Sequence, residues 1–240
     1  VIPLFYHRLF IFFLISFLMI MVIRTKLKWI KSNLEDKIYL LILLVISILL
    51  SILIVKNFSS NFLINTILIS SALFLFFITL RDFFSKRFKN LAQNITHFGF
   101  SLLILSILLN NLFSSEIITN LKVGQTFENT KAKIVFESLN QKEGKNYKSI
   151  IGNFVIQDSK GKIENLSPEL RIYNQPNITT SEADIKTTLL SDKFIVINVV
   201  QNQEFFNVRY QVKPFMLWIW ISVILISAGG LISFLKEYEK

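Results

Sequence analysis

Residues Leu91–Phe113 read LAQNITHFGFSLLILSILLNNLF, and this stretch decides the class of fold. At about 1.5 Å of rise per residue, a helix of this length crosses the roughly 30 Å hydrocarbon core of a bilayer. The stretch holds one ionisable side chain, His97. A histidine in hydrocarbon is costly, so His97 is a candidate functional residue. The alternative is a neutral imidazole that donates one N–H to a neighbouring helix.

The composition of the whole chain agrees with a membrane protein. Of 240 residues, 52% are hydrophobic, 24 are Phe, and the mean hydropathy is +0.52. The net charge of +10 comes mainly from basic residues that flank apolar spans, whereas the stretch from Ser114 to Lys213 is nearly balanced. This distribution argues against nucleic-acid binding. The absence of cysteine excludes disulfides, thiol catalysis, iron–sulfur clusters and a covalent haem-attachment site within this sequence.

Five apolar stretches are long enough to span the bilayer. The loops at 24–37 and 81–90 are rich in Lys and Arg, so they are predicted to be cytoplasmic. Residue 1 then lies outside and residue 240 inside. No cleavable signal peptide is expected, and because residue 1 is Val, we expect a fragment or an alternative start. The predicted spans are 5–23, 38–55, 61–80, 91–113 and 214–235.

The polar stretch between spans four and five is predicted to be β-rich. Apolar residues alternate with polar ones around Ala132, Ile134 and Phe136, and turn-forming sequences separate such runs. Residues 194–200, FIVINVV, are predicted to form a buried strand, and 180–190 a short helix, because Ser181 and Asp184 resemble a capping box. The turns are predicted at 142–146 (KEGKN), 158–161 (DSKG) and 174–177 (NQPN).

A polar stripe surrounds His97. Residues Asn90, Asn94, His97 and Ser101 are spaced by four, three and four, which places them on one helix face. A proton relay needs partners that the spans lack, and a zinc site needs more ligands. One axial position of a haem fits a single histidine among Phe, Leu and Ile better. Gly99 lies on another face and is expected to ease helix packing, as are Ala228–Gly230.

The outer domain shows no catalytic constellation. Its acidic residues are expected to be solvated charges. Several polar and aromatic residues are candidates for a partner surface, although turn and strand-face positions explain them as well: Lys145, Asn146, Tyr147, Glu169, Arg171 and Tyr173. His7 is interpreted as an interfacial polar residue.

Several stretches, in this order, make the chain similar to the C-terminal part of the CcmF family of cytochrome c maturation proteins. The resemblance covers essentially the whole chain. It is carried by VIPLFYHRLF at the start, LAQNITHFGFSLLILSILL, LKVGQTF with KIVFESLNQKEGKNY, PELRIYNQP with TSEADI, and VKPFMLWIWISVILISAGGL near the end.

The resemblance implies a function in haem attachment. CcmF proteins act with CcmH and CcmI, take haem from the chaperone CcmE, and help attach it to apocytochrome c. They also hold a haem b between two membrane histidines. One of these lies in a Leu-Ala-His-x-Gly type segment, which maps onto His97; here Leu91 and Ala92 stand apart from it, and Ile95–Thr96 precede it directly. Asn94 and Ser101 share its helix face and are candidate cofactor-binding residues beside it.

The family's second membrane histidine and its Trp-rich haem-handling segment are absent from this sequence. The resemblance therefore implies that an N-terminal part of CcmF supplies the second haem ligand, and that this chain is not catalytic alone. The expected location is the bacterial inner membrane, or alternatively the mitochondrial inner membrane.

The predicted fold is a polytopic α-helical membrane protein with five transmembrane helices and a β-rich extracytoplasmic domain between helices four and five. The predicted domains are 1–113, 114–213 and 214–240, the last being a helix with a short cytoplasmic tail. The predicted function is that of a subunit of the haem ligase complex. The alternative is a non-enzymatic membrane scaffold whose outer domain binds a partner and whose His97 only packs.

Overall fold

The structure is a computed structural model that describes residues 11–22, 34–56, 61–84, 91–158, 161–200 and 204–238. Within these ranges the chain forms five helices and ten strands. It divides into two compact units. One comprises residues 1–113 and 218–240 and holds the helices, and the other comprises residues 114–217 and holds the strands.

The helices are apolar along most of their length. Four of them, α2 to α5, are long and apolar enough to cross a membrane, and the described part of α1 is shorter. The rest of the first predicted span, with His7, lies outside the described residues. Two helices extend into predicted basic loops, α2 from residue 34 and α3 to residue 84. The helices are α1 (Ile11–Val22), α2 (Leu34–Val55), α3 (Phe62–Phe84), α4 (Leu91–Phe113) and α5 (Met216–Tyr238).

Helix α3 is the most deeply buried of the four long helices. Its side chains Ala72, Leu75 and Ile78 form a core with Leu18 and Val22 of α1. The hydroxyls of Ser70, Ser71 and Thr79 donate to backbone carbonyls three or four residues earlier. Such internal bonds satisfy polar groups where no water is present.

The strands form two antiparallel sheets. The first has the order β1–β10–β9–β8, and the second has the order β2–β3–β4–β6–β7 with β5 also paired to β4. The turn predicted at 142–146 joins β3 to β4, and the one at 174–177 joins β6 to β7; residues 159 and 160 of the third lie outside the described ranges. The strands are β1 (Ser115–Leu121), β2 (Thr126–Glu128), β3 (Ala132–Glu143), β4 (Tyr147–Asp158), β5 (Ile163–Leu166), β6 (Glu169–Tyr173), β7 (Thr179–Glu182), β8 (Asp184–Thr187), β9 (Ser191–Val199) and β10 (Phe206–Pro214).

The two sheets enclose one apolar core. The alternating residues Ala132, Ile134 and Phe136 face inward, as predicted, and the rings of Phe136 and Phe154 stack with centroids 4.3 Å apart. The core also holds Ile195 and Ile197. The predicted strand at 194–200 is therefore confirmed, although its end is not buried: Val199, on the same face as Ile195 and Ile197, is half exposed.

The predicted helix at 180–190 is wrong. These residues form β7, β8 and the turn after β8. Ser181 and Asp184 do not cap a helix but bond to other strands and loops. The Asp184 carboxylate accepts a hydrogen bond from the Ser167 backbone N–H at 2.6 Å, and the Ser181 hydroxyl donates to Asn198. Pairing of β7 with β6 and of β8 with β9 outweighs the local helix signal.

Candidate functional site

Helix α4 is fixed to α3 by its polar stripe. The Asn94 side-chain amide donates to the Asp82 carbonyl at 2.9 Å, and the hydroxyl oxygens of Ser101 and Thr79 lie 2.6 Å apart. Phe98 adds an apolar contact, since its ring stacks on that of Phe83 with centroids 4.8 Å apart. Asn94 and Ser101 thus have partners on α3, while Asn90 lies outside the described residues.

A different face of α4 meets α5 at very short range. A Cβ placed on Gly99 would lie 3.0 Å from the Leu225 Cβ and 3.1 Å from the Ile226 backbone nitrogen. A Cβ on Gly229 would meet the Thr96 hydroxyl and the Ala92 carbonyl oxygen, the latter at 2.8 Å. Both glycines therefore allow close helix packing, as predicted for them. Gly230 has no such neighbour.

His97 lies on the side of α4 between the face that contacts α3 and the face that contacts α5. At about 100° per residue, it is displaced by about 60° from Asn94 and about 40° from Ser101. The imidazole is half buried. The same side of the helix carries Phe100 and Ile104, which pack against the apolar core; the Phe100 ring meets that of Phe17 in α1 edge to face at 6.0 Å.

The residues around His97 limit the chemistry that its imidazole can perform. Across the described part of the chain, His, Cys, Asp and Glu side chains form no group of three that would hold a metal ion. A single imidazole with aromatic and aliphatic neighbours fits one axial position of a haem, for which the macrocycle needs apolar contact. Among the described residues, His97 with Phe100 and Ile104 on its side of the helix therefore fits one axial position of a haem.

Residues considered for a partner surface come together at one end of the second sheet. Tyr147 and Tyr173 are opposite each other in β4 and β6, with ring centroids 5.4 Å apart, and the Arg171 guanidinium lies 5.1 Å from the Tyr147 ring. Arg171 also pairs with Glu169 at 3.0 Å, and its pKa is raised, mainly by this hydrogen bond. Asn146 donates to the Gln175 carbonyl at 3.3 Å. Lys145 lies in the adjacent turn.

A buried ionic cluster links the two sheets at the opposite end of β4. Glu164 of β5 is almost fully buried, and its carboxylate lies 2.9 Å from the Lys162 ammonium and 3.0 Å from that of Lys193 in β9. Burial opposes ionisation of Glu164, but the two lysine hydrogen bonds outweigh it, so its pKa lies below the ordinary value. The sequence pattern did not predict this cluster. Glu164 is an exception to the expectation that the acidic residues of this domain are solvated.

The two sheets around one core, hereafter the sandwich, resemble a known domain. Residues 112–214 match the family model described as the CcmF C-terminal beta-sandwich. The strand-rich part of this chain is therefore similar to the C-terminal beta-sandwich of CcmF. The match identifies the domain, and it agrees with the resemblance seen in the sequence.

Curated relatives extend the likeness to CcmF beyond the sandwich. The chain is 26% identical over 145 residues to the cytochrome c-type biogenesis protein CcmF of Pseudomonas aeruginosa, covering 60% of the chain and 22% of that protein. It is 32% identical over 109 residues to the cytochrome c-type biogenesis protein ccl1 of Rhodobacter capsulatus, covering 45% and 17%. The matched stretches thus span about a fifth of the length of these relatives.

A solved structure shares the fold. The protein titled cytochrome c heme lyase CcmF aligns with a TM-score of 0.71 at 15% identity, over 95% of this chain and 39% of that one. At this identity the likeness concerns the fold alone. Together with the CcmF sandwich, it confirms the predicted class of a polytopic helical membrane protein with a β-rich domain.

Proposed function

We propose that this chain acts in cytochrome c maturation as the C-terminal part of a CcmF haem ligase core. The observation that carries the proposal is the match of residues 112–214 to the CcmF sandwich, supported by relatives that are named cytochrome c-type biogenesis proteins. The complete activity requires an N-terminal part of CcmF, since this chain aligns with only a fraction of each relative.

The proposed role of His97 is that of one axial ligand to a haem b. Its imidazole is neutral in this role, because ligation uses the nitrogen lone pair. Its position on a helix that is fixed to α3 on one side and packed against α5 on another would hold the ring in one orientation. The second histidine is proposed to come from the N-terminal part. When bound, haem b would supply one-electron chemistry that keeps the iron of the haem being attached reduced.

Asn94 and Ser101 are proposed as positioning residues. Their side chains were candidates for direct cofactor contact, but both hydrogen-bond to α3. We therefore assign them the task of fixing the rotation of α4, which in turn fixes the direction of His97.

The proposed topology follows from the positive-inside rule and the apolar spans. The helices cross the bacterial inner membrane, or the mitochondrial inner membrane, and the sandwich faces the periplasm or intermembrane space. There the sandwich would meet CcmH, CcmI, haem-loaded CcmE and apocytochrome c. The tyrosine and arginine cluster of Tyr147, Arg171 and Tyr173 is the proposed partner surface, because aromatic residues and arginine are favoured at such contacts.

Complementation tests this function. A bacterial strain that lacks CcmF receives an N-terminal CcmF part and an apocytochrome c, with or without this chain, and covalent haem is detected by its peroxidase activity after denaturing electrophoresis. We expect covalent haem only when this chain is present. Equal staining without the chain contradicts the proposal. A membrane scaffold without a haem role would instead allow the His97→Ala variant to complement fully.

A further inference from the structure

The hairpin that joins β8 to β9 ends in a closed turn with two exposed leucines. The Thr188 hydroxyl donates to the Ser191 carbonyl at 2.8 Å, and the Thr188 backbone N–H donates to the same oxygen at 3.0 Å. The turn thereby satisfies much of its own backbone. Leu189 and Leu190 remain 70% and 68% exposed, among the most exposed large apolar side chains of the described residues.

This tip is attached to the point where the chain leaves the sandwich. Ser191 is opposite Pro214 in the β9–β10 pair, and the Phe215 backbone N–H donates to the Leu190 carbonyl at 2.9 Å. Phe215 has a φ of 61°, a left-handed conformation that is unfavourable for an aromatic residue, and this hydrogen bond stabilises it. The stretch able to cross a membrane begins at the next residue, Met216.

The hydrogen bond therefore holds the two leucines beside the first residue of this stretch. We propose that the hairpin tip, residues Thr188–Leu190, inserts its leucines into the bilayer interface and is a second membrane contact of the sandwich. Apolar side chains on a turn with internally bonded backbone suit the boundary between headgroups and acyl chains. This inference rests on the membrane span and not on the proposed role in cytochrome c maturation.

Charge at the tip is compatible with phospholipid. Lys186 is exposed on β8, and Lys213 precedes Pro214 on β10. Lysine ammonium groups at such positions reach phosphate headgroups while the apolar part of the side chain stays in the interface. The nearby Asp192 keeps one carboxylate oxygen buried in the protein.

Site-specific fluorescence quenching tests the proposal. Because the chain has no cysteine, Leu189→Cys gives a unique site for a bimane label. The matched control is Ile178→Cys, which is 50% exposed near Tyr173, at the end of the second sheet away from Asp158. Both labelled chains are placed in nanodiscs of phosphatidylethanolamine and phosphatidylglycerol. The quenchers are a lipid with a doxyl group on its acyl chain and, separately, aqueous iodide.

We expect the doxyl lipid to quench the label at position 189 strongly and iodide to quench it weakly, with the reverse order at position 178. Strong iodide quenching at 189 without doxyl quenching overturns the proposal, because the tip then lies in water. Protection at 189 from both quenchers also overturns it, since protein then covers the tip. If Leu189→Cys fails to fold, Leu190→Cys serves as the second labelled variant and is read in the same way.

Discussion

The hydroxyl oxygens of Thr79 and Ser101 lie 2.6 Å apart, so a hydrogen bond joins α3 to α4 one helical turn beyond His97. Both residues are almost fully buried. With the bond from Asn94 to the Asp82 carbonyl, it fixes α4 against α3 at two levels on either side of His97.

The Thr79–Ser101 bond should give a measurable coupling. We expect the destabilisation by Thr79→Val and Ser101→Ala to be non-additive by about 0.6 kcal/mol, and at most about 1.7 kcal/mol, as for other hydrogen bonds between membrane helices. The measurement is a double-mutant cycle on unfolding of the helical unit in mixed micelles. Strictly additive effects of the two substitutions would show that the hydroxyls do not interact.

Gly229 and Gly230 provide a matched pair for the contact between α4 and α5. Gly229→Ala places a methyl group against the Ala92 carbonyl oxygen and the Thr96 backbone, so we expect a loss of stability of about 1–3 kcal/mol. Gly230→Ala meets no neighbour and gains helix propensity, so it should be neutral or slightly stabilising. Thermal unfolding in detergent compares the two variants, and equal effects would contradict the close packing.

Breaking the buried ion pair between the two sheets should destabilise the fold far more than breaking an exposed pair. Lys193→Met leaves the buried Glu164 with Lys162 alone and should cost about 3–5 kcal/mol. The control is Lys148→Met, whose pair with Glu143 is largely exposed and 3.6 Å long, with an expected cost below about 1 kcal/mol. Unfolding is followed by the β-sheet amide I infrared band. A similar loss in both variants would refute the linking role.

Low pH should remove the contribution of Glu164 to the stability of the folded chain. Its pKa in the folded chain lies below the ordinary 4.5, so the ionised carboxylate stabilises the fold above that pH. This stabilisation declines as the pH falls below 4.5 and through the lowered pKa of the folded state. We expect the stability difference between the unmodified chain and Glu164→Gln to shrink over that range. A difference that stays constant with pH would mean that ionisation of Glu164 does not stabilise the sandwich.

The parts of the fold that depend on local pattern were predictable from the sequence. The apolar spans are long enough to be recognised as membrane-crossing helices from the sequence alone. The alternation of Ala132, Ile134 and Phe136 predicts β3 and the face that it turns to the core. The helix predicted at 180–190 failed because a Ser and an Asp three residues apart also suit side-chain bonds in a sheet. Pairing with β6 and β9 decided the outcome there.

The parts of the site that depend on packing were not predictable. The sequence placed Asn94 and Ser101 on one face of a helix with His97, but it could not show that their partners are Asp82 and Thr79. Span three contains several hydroxyl residues, and only the packing of α3 on α4 selects Thr79. Likewise, the β4–β6 register brings Tyr147 next to Tyr173.

The central claim is that His97 ligates haem b, and a visible absorption spectrum tests it most directly. The chain is co-purified with an N-terminal CcmF part, as the unmodified protein and as His97→Gly, with His7→Ala as the control for the other histidine of the sequence. The account predicts b-type bands in the unmodified protein and in His7→Ala. It predicts their loss in His97→Gly and their return when imidazole is added to that variant. Unchanged bands in His97→Gly without imidazole would contradict the assignment.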